Sequence, residues 1–576
     1  MLKTFHICPL MNTTKKGVRV LAETCRDSGI RKVVFSPGSR SAPLYIAFSQ
    51  MADVECIVIP DERVAGYFAL GMAQQLGKPV AVVCTSGTAA LNLYPAVCEA
   101  YYQQVPLLIL TADRPEGFAN MGENQSIQQH GLYQLNSGFY CSVNGEAEKE
   151  KDLKEIAKQT YLAINETNVL HKGPSHINVH LDEPLYELTD EKIGKIKLQT
   201  PKEPKPVKLS ASEKKKIFTK FSRYNKIMVI VGMHDNDPAF TKKLAVLNRR
   251  KDVAILHETT SNLNLKDSVW NIDAALSVIK ADNKELLMPQ LIITLGKQIV
   301  SKKIKQFLKD KVQLHWDIPV QANDGGNKPM FGKLDKLKDI TENDLLEVII
   351  GSPENHTSSF KRDWLDNSRK AAFLSTEYLA KVPYSDLKVF ETLVRLLPVG
   401  GNIQYGNSTP VRYSNLFPHS NFGVSVNSNR GTSGIDGCVS TAAGAAYVNK
   451  KTTVSIVGDI SFFYDSNALW NNYLSPGLRI VVINNSGGNV FRLIEGPTKI
   501  EGFEKFFETK HELTAKHLAS MYDIPYYFCD RQNELEKTLH TFYHSQDGKP
   551  AILEIKTDGV LSAEVYRNYF KFLAHK

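Results

Sequence analysis

The chain reads as an α/β protein built of three doubly wound domains with mainly parallel sheets. Three observations predict this. Short apolar runs alternate with helix-period segments along most of the sequence, which is the pattern of strands buried on both faces by crossover helices. The 576 residues exceed what one ordinary core can serve. The motifs that bear Gly, Asp or Asn follow the apolar runs, where ligands bind in open α/β sheets.

Taken in order, the helix-period segment from Lys15 to Gly29 leads to a strand over Lys32 to Phe35. A strand over Cys56 to Pro60 precedes a helix starting at Asp61, and VAVVCTSG (Val80 to Gly87) precedes a helix from Thr88. Strands over Pro106 to Asp113 and Ser175 to Leu185 complete a first domain, residues 1–197. The stretch 198–216 is rich in Pro and Lys and poor in apolar residues, so it reads as a linker. A middle domain, 217–375, carries strands over Lys226 to Gly232, Val253 to Glu258, Leu291 to Gly296 and Val312 to Asp317. A polar helical stretch over about 354–385 leads into the third domain, 376–576, with strands over Ile403 to Tyr405, Thr453 to Gly458, Arg479 to Asn484 and Ile552 to Ile555.

Composition sets bounds on function. A hydrophobic content of 42% with 23% charged residues is that of a globular protein able to bury sizeable cores. The net charge of +9 is spread over linkers and helix faces rather than gathered in an arm, so it reads as solvated surface and not as a nucleic-acid site. No apolar run approaches the length of a bilayer span, and the start lacks the apolar stretch of a signal peptide; the expected location is cytoplasmic. The eight cysteines form no C-x-x-C and sit largely in apolar surroundings, as reduced core residues do. His511 and His517 are six apart, off the spacing of a shared helix face, and read as helix surface. There is neither a Walker A loop nor G-x-G-x-x-G.

The most informative segment runs from Val457 to Gly488. One strand ends in Gly458-Asp459 and the next in Asn484-Asn485, which brings a carboxylate and an amide to neighbouring strand ends. Mg²⁺ is small, hard and octahedral, takes carboxylate, amide and carbonyl oxygens, and prefers to share its shell with phosphate and water. Asp459 and Asn485 supply two such oxygens, and a carbonyl near Gly487 a third. Gly487 and Gly488 let the main chain approach a phosphate, and a helix beginning after Ser461 offers free N–H groups. Each motif alone also fits a plain turn.

Together these residues resemble the metal and diphosphate motif of thiamine diphosphate enzymes. The resemblance implies a thiamine diphosphate-binding fold, with Asp459, Asn485 and the Gly487 carbonyl as ligands of Mg²⁺ (or Mn²⁺) and Ser461 at the cofactor. It also gives a role to Glu62, which by itself reads more readily as a residue complementing the dipole of a helix capped by Asp61. In this family a buried glutamate bonds the pyrimidine nitrogen at the far end of the cofactor from its phosphates. The two cofactor-binding domains come from different subunits, so a homodimer or a dimer of dimers is implied.

Four further segments narrow the resemblance: FSPGSRSAPL (Phe35 to Leu44), TADRPEG (Thr111 to Gly117), GENQSIQQ (Gly122 to Gln129) and NSNRGTSGIDGCVSTAAG (Asn427 to Gly444), with GNSTPVR (Gly406 to Arg412) agreeing. They resemble the carboligases of menaquinone biosynthesis that decarboxylate 2-oxoglutarate and add the product to isochorismate. Substrates with two carboxylates each call for guanidinium groups, and Arg40, Arg114, Arg412 and Arg430 all fall in these segments. By resemblance Ser39, Arg40, Arg114, Asn124, Ser408, Arg412 and Ile494 meet substrate, and Gln125 and Arg430 join Glu62 as catalytic residues. Asn407, Ile435, Val490 and Phe491 meet cofactor, with Ile435 as a prop under the bent molecule; plain core packing accounts equally well for the last three. Lys302 is the expected basic residue of the middle domain and Lys303 the weaker candidate, since that lysine run also fits a solvated helix start. No histidine of the motif segments is an obvious acid or base, and His130 is the nearest to them in sequence.

Overall fold

The fold was obtained as a computed structural model that describes residues 11–118, 121–122, 124–170, 172–192, 194, 209–309, 311–312, 314–318, 331, 333–335, 337, 340–419, 423–494, 496–545 and 547–576. Among the described residues three sheets of five or six strands carry it, beside a two-stranded antiparallel pair of Asn12–Thr13 with Leu188–Thr189. The first comprises β1 (Lys32–Phe35), β2 (Glu55–Val58), β3 (Val80–Cys84), β4 (Leu107–Asp113), β5 (Phe139–Asn144) and β6 (Pro174–His180), in the order β2-β1-β3-β4-β6-β5. The middle sheet comprises β7 (Ile227–Val231), β8 (Val253–His257), β9 (Leu291–Leu295), β10 (Leu314–Asp317) and β11 (Lys333–Leu334), in the order β8-β7-β9-β10-β11. The third comprises β12 (Asn402–Tyr405), β13 (Ser425–Ser428), β14 (Thr453–Gly458), β15 (Leu478–Asn484), β16 (Tyr526–Cys529) and β17 (Ala551–Lys556), in the order β13-β12-β14-β15-β17-β16.

The first and third sheets therefore share one topology, and the strand pairings described within all three sheets are parallel. In both, the order reverses beside the first strand, which opens a crevice at the carboxyl ends of β1 and β3 and of β12 and β14. The middle sheet shows why the strands read as unbroken apolar runs. Ile227, Val229 and Val231 of β7 enter one core, while Met228 and Ile230 enter the core on the opposite face. Alternate side chains are thus both buried, as helices on both faces require.

The chain groups into two compact units, residues 1–203 with 429–450 and 464–478, and residues 204–428 with 451–463 and 479–576. Within the first unit, helix Glu62–Leu76 packs on helix Cys438–Val448 at very short range. A Cβ on Gly444 would lie 1.9 Å from the carbonyl oxygen of Phe68, and one on Gly71 2.0 Å from that of Thr441, so only glycine permits the approach.

The structure differs from the sequence expectation in several places. Residues 198–208 of the expected linker lie outside the described residues; a helix begins at Ala211, so its last residues are helical. Ser210 and Glu213 form a capping box there, and that local signal outweighs the lysine-rich composition. The expected boundary at 375/376 falls inside helix Phe360–Leu379, whose Trp364 and Ala371 are fully buried. Strands β5, β11, β13 and β16 were not expected, and each lies at the edge of its sheet. Among the described residues no helix is long and apolar enough to cross a membrane.

Candidate active site

Asp459 and Asn485 stand at the carboxyl ends of the neighbouring strands β14 and β15. Asp459 is 2% exposed; its Oδ1 accepts the Ile460 N–H (2.7 Å) and its Oδ2 the Gly487 N–H (2.9 Å). The helix there starts at Asp459 itself, three residues before the expected start, because the carboxylate caps its own turn. Asn485 donates from Nδ2 to Asp386 Oδ2 (2.9 Å), while its Oδ1 is buried without a hydrogen-bond partner. Gly487 sits at φ 154°, and a Cβ there would lie 2.8 Å from the Glu508 carbonyl, so the loop admits no side chain.

A buried acceptor without a donor costs about 1–3 kcal/mol. Asn485 Oδ1 and the Asp459 carboxylate, joined through the Gly487 loop, fit a hard oxygen-seeking cation. Among the described residues no group of three or more His, Cys, Asp and Glu could hold a metal ion. Ser461 is buried beside this turn. His511, expected on a helix surface, lies in a loop because the helix begins only at Lys516. Its Nε2 is 3.4 Å from Asp459 Oδ2 and its ring stands edge-on to Phe463.

The same unit contains the other residues of the third sheet. Asn407 is 2% exposed, and Ser408 takes φ 74°, a left-handed conformation at the start of helix Thr409–Ser414 that carries the half-buried Arg412. Val490 and Phe491 open the short helix Val490–Leu493, in which no residue is fully buried, and Ile494 beyond it is exposed. In the middle domain the two candidate lysines differ in setting. Lys302 is exposed at the start of helix Lys302–Leu308, whereas Lys303 points inward, with Nζ 3.0 Å from Ser277 Oγ and 3.2 Å from the centre of the Phe570 ring. Burial pushes the Lys303 ammonium down to about 8, partly offset by Asp273. Asp273 and Arg412 both act on Tyr566, so Lys303 and Arg412 share one neighbourhood.

In the first unit, Asp61 caps the helix after β2 by accepting the Val64 N–H (3.2 Å), and Glu62 is the first helical residue. Glu62 is half-buried, and its carboxyl is pushed above the usual range, first by burial and then by Asp61, against its own N–H. Asn467 donates to Asp61 Oδ2 (2.8 Å) and Arg63 to the Tyr464 carbonyl (3.1 Å), which fixes this helix start from both sides.

Ser39 is exposed after β1; Arg40 is buried, donating to the Leu181 carbonyl (3.0 Å) and Glu183 (3.2 Å). Arg114 donates twice to the Asn124 carbonyl (3.1 and 2.6 Å), and Asn124 and Gln125 are exposed, Gln125 at φ 55°. His130 is engaged with Tyr140 (3.1 Å).

Two buried residues that sequence reasoning missed hold these loops. Gln129 accepts the Gly87 N–H (2.9 Å) and donates to Ala112 O and Asn178 Oδ1. Glu99, fully buried, accepts the N–H groups of Gly431 (2.8 Å) and Thr432 (2.6 Å) and the Thr432 hydroxyl (2.7 Å). It clamps the loop that bears Arg430 and Ile435, which Asp436 ties to the Tyr67 hydroxyl (3.1 Å).

Comparison with known proteins agrees with this geometry. Residues 15–135 match the family model described as thiamine pyrophosphate enzyme, N-terminal TPP binding domain, and residues 414–555 the C-terminal TPP binding domain. The two matches contain Glu62 and the Asp459–Gly487 group respectively, and the chain is a thiamine diphosphate-dependent enzyme.

The particular branch follows from whole-chain relatives. The chain is 40% identical to a protein of Flavobacterium johnsoniae over 96% of its own length and 98% of that protein. It is 39% identical to one of Flavobacterium psychrophilum over 96% and 98%, and 35% identical to one of Porphyromonas gingivalis over 97% and 97%. All three are named 2-succinyl-5-enolpyruvyl-6-hydroxy-3-cyclohexene-1-carboxylate synthase, and this chain belongs to that family.

Proposed function

We propose that the protein decarboxylates 2-oxoglutarate and joins the remaining four-carbon unit to isochorismate by 1,4-addition. The products are CO₂ and 2-succinyl-5-enolpyruvyl-6-hydroxy-3-cyclohexene-1-carboxylate, an intermediate of menaquinone biosynthesis. The observation that carries this reading is the buried, unpartnered Oδ1 of Asn485 beside Asp459 and the Gly487 loop, in a chain of this family.

Asp459, Asn485 and the Gly487 carbonyl would hold Mg²⁺, with Mn²⁺ an acceptable substitute for the same oxygen set. Ser461, Asn407, Ile435, Val490 and Phe491 would line the cofactor. When bound, thiamine diphosphate supplies the electron sink for the carbanion left by loss of CO₂. Glu62 holds a proton against the pyrimidine nitrogen, and its raised affinity for that proton favours sharing it. Arg114, Arg412 and Arg430, with Ser39, Asn124, Gln125 and Ser408, orient the substrate carboxylates and stabilise developing negative charge. Arg40 is tied to Leu181 and Glu183, so its role is to fix the substrate loop unless substrate displaces Glu183. The inward-facing Lys303 takes the place first expected for Lys302.

The residues for the two ends of the cofactor lie in different compact units, and we propose a homodimer in which they meet across subunits. An apolar stripe on helix Thr88–Gln103 supports an assembly: Leu91 and Tyr102 are exposed, with Tyr94 and Cys98 half-buried on the same face. We place the enzyme in the cytoplasm, which agrees with seven described cysteines that are all free.

The test is to follow CO₂ release from 2-oxoglutarate with and without isochorismate and to identify the product by mass. The proposal expects the adduct mass and stronger release when both substrates are present. Processing of pyruvate far in preference to 2-oxoglutarate, or FAD released on denaturation, would point instead to another thiamine diphosphate decarboxylase or synthase.

A further inference from the structure

We infer that Asp386 is the positioning residue that turns the Asn485 carboxamide, so that its oxygen and not its nitrogen faces the divalent cation. The inference deepens the metal reading proposed above and rests on it. Asp386 opens helix Asp386–Arg395, far from the metal motif in sequence, and is 0% exposed. Its Oδ2 accepts Asn485 Nδ2 (2.9 Å) and its Oδ1 accepts the Thr557 hydroxyl (2.6 Å), while its N–H donates to Ser562 Oγ (3.0 Å).

Both carboxylate oxygens are thus occupied as acceptors. A carboxylate carries no hydrogen to give, so only the nitrogen end of a neighbouring amide can face it. A flipped Asn485 would set its oxygen against Asp386 and turn two N–H donors toward the cation. With Asp386 ionised, the network assigns the amide orientation, and it leaves Oδ1 as the buried atom without a partner. Thr557 and Ser562 hold Asp386 itself at fixed distance, so the orientation is built in before any metal arrives. Partners of this kind, one step removed from a ligand, change metal affinity by about 10- to 100-fold when lost.

The experiment titrates Mg²⁺ calorimetrically into the full-length protein saturated with thiamine diphosphate, and separately records the metal-free melting temperature. Asp386→Asn is expected to weaken Mg²⁺ binding about 10- to 100-fold, since the amide that replaces the carboxylate tolerates either orientation of Asn485. Asn485→Asp alone sets two carboxylates together and weakens binding as well. Adding Asp386→Asn to Asn485→Asp exchanges donor and acceptor, leaves one oxygen for the cation, and must strengthen binding relative to Asn485→Asp alone. A residue with a merely structural role would make Asp386→Asn harmful in both backgrounds. The inference is overturned if Asp386→Asn lowers the metal-free melting temperature but leaves the Mg²⁺ affinity unchanged, or if its effect keeps the same sign beside Asn485→Asp. If Asp386→Asn alone does not fold, the comparison of the double variant with Asn485→Asp decides. A wild-type protein that takes up no Mg²⁺ in the presence of excess thiamine diphosphate refutes the metal reading itself, a result distinct from the others.

Discussion

Glu99 offers the sharpest account of how a residue outside the motifs shapes the site. Its carboxylate, fully buried, accepts three hydrogen bonds from Gly431 and Thr432, adjoining Arg430. Glu99→Ala removes all three at once, together with the bond that the buried Gln103 amide donates to the same carboxylate. Hydrogen bonds to a charged group contribute about 1.5–3 kcal/mol each, but Thr432 is exposed, so water can take over its two donors at little loss. Gly431, half-buried, has no such replacement. The local cost is therefore about 2–4 kcal/mol rather than the full sum of three bonds. In a chain of several domains a single unfolding free energy is not defined, so the local opening must be read directly. Hydrogen exchange followed by mass spectrometry on a peptide spanning 427–437 does so. At 1.4 kcal/mol per tenfold, protection of the Gly431 and Thr432 amides should fall on the order of 30- to 1,000-fold. Glu99→Gln should lose less, since its amide oxygen keeps one donor while its nitrogen opposes another. The Michaelis constant for the acidic substrates should rise about tenfold in Glu99→Ala, because the loop that presents Arg430 is loosened. Unchanged exchange in that peptide with an unchanged Michaelis constant would show that Glu99 does not hold the loop.

Two further predictions concern the reaction. Glu62→Gln should lower kcat about 10²- to 10⁴-fold while thiamine diphosphate still binds; mixed dimers of Glu62→Gln and Asp459→Asn chains should recover one working site each, and verified mixed dimers without activity would contradict sites shared between subunits. Lys303 is depressed to about 8 by burial and must be protonated to hold a carboxylate, so the substrate Michaelis constant should climb above pH 8, and Lys303→Arg should abolish the climb. The folded-state value lies below the unfolded one, so the corresponding stability is present above the unfolded pKa and lost as pH falls through about 8; relative to Lys303→Met, the wild type should therefore melt progressively lower as pH drops toward 8. A flat difference between the two proteins across that range would contradict the buried placement.

What the sequence made legible follows from how local each signal is. Central strands such as β3, β9 and β15 are buried at every position and read as apolar runs. The edge strands β5, β13 and β16 are each only partly buried and carry polar or half-exposed residues, so neither the alternating nor the continuous pattern marks them. The placing of Asp459 and Asn485 at neighbouring strand ends was legible because they and Gly487 lie within one strand–helix–strand passage. Asp386, Glu99 and Gln129 were not. Glu99 meets its loop across 332 residues and Asp386 meets Asn485 across 99, distances at which one sequence carries no pairing signal. His511 was misread because its helix was placed too early, and Lys303 because a lysine run looks solvated until the chain folds Phe570 over one of its members.

The measurement that tests the account most directly is an experimental structure of the protein with thiamine diphosphate and Mg²⁺ bound. The account predicts a dimer in which the Glu62 carboxyl group lies within hydrogen-bond distance of the pyrimidine nitrogen of a cofactor whose diphosphate and cation meet Asp459, Asn485 and the Gly487 carbonyl. A cofactor held at those residues with Glu62 remote from every pyrimidine ring, in either subunit, would contradict it.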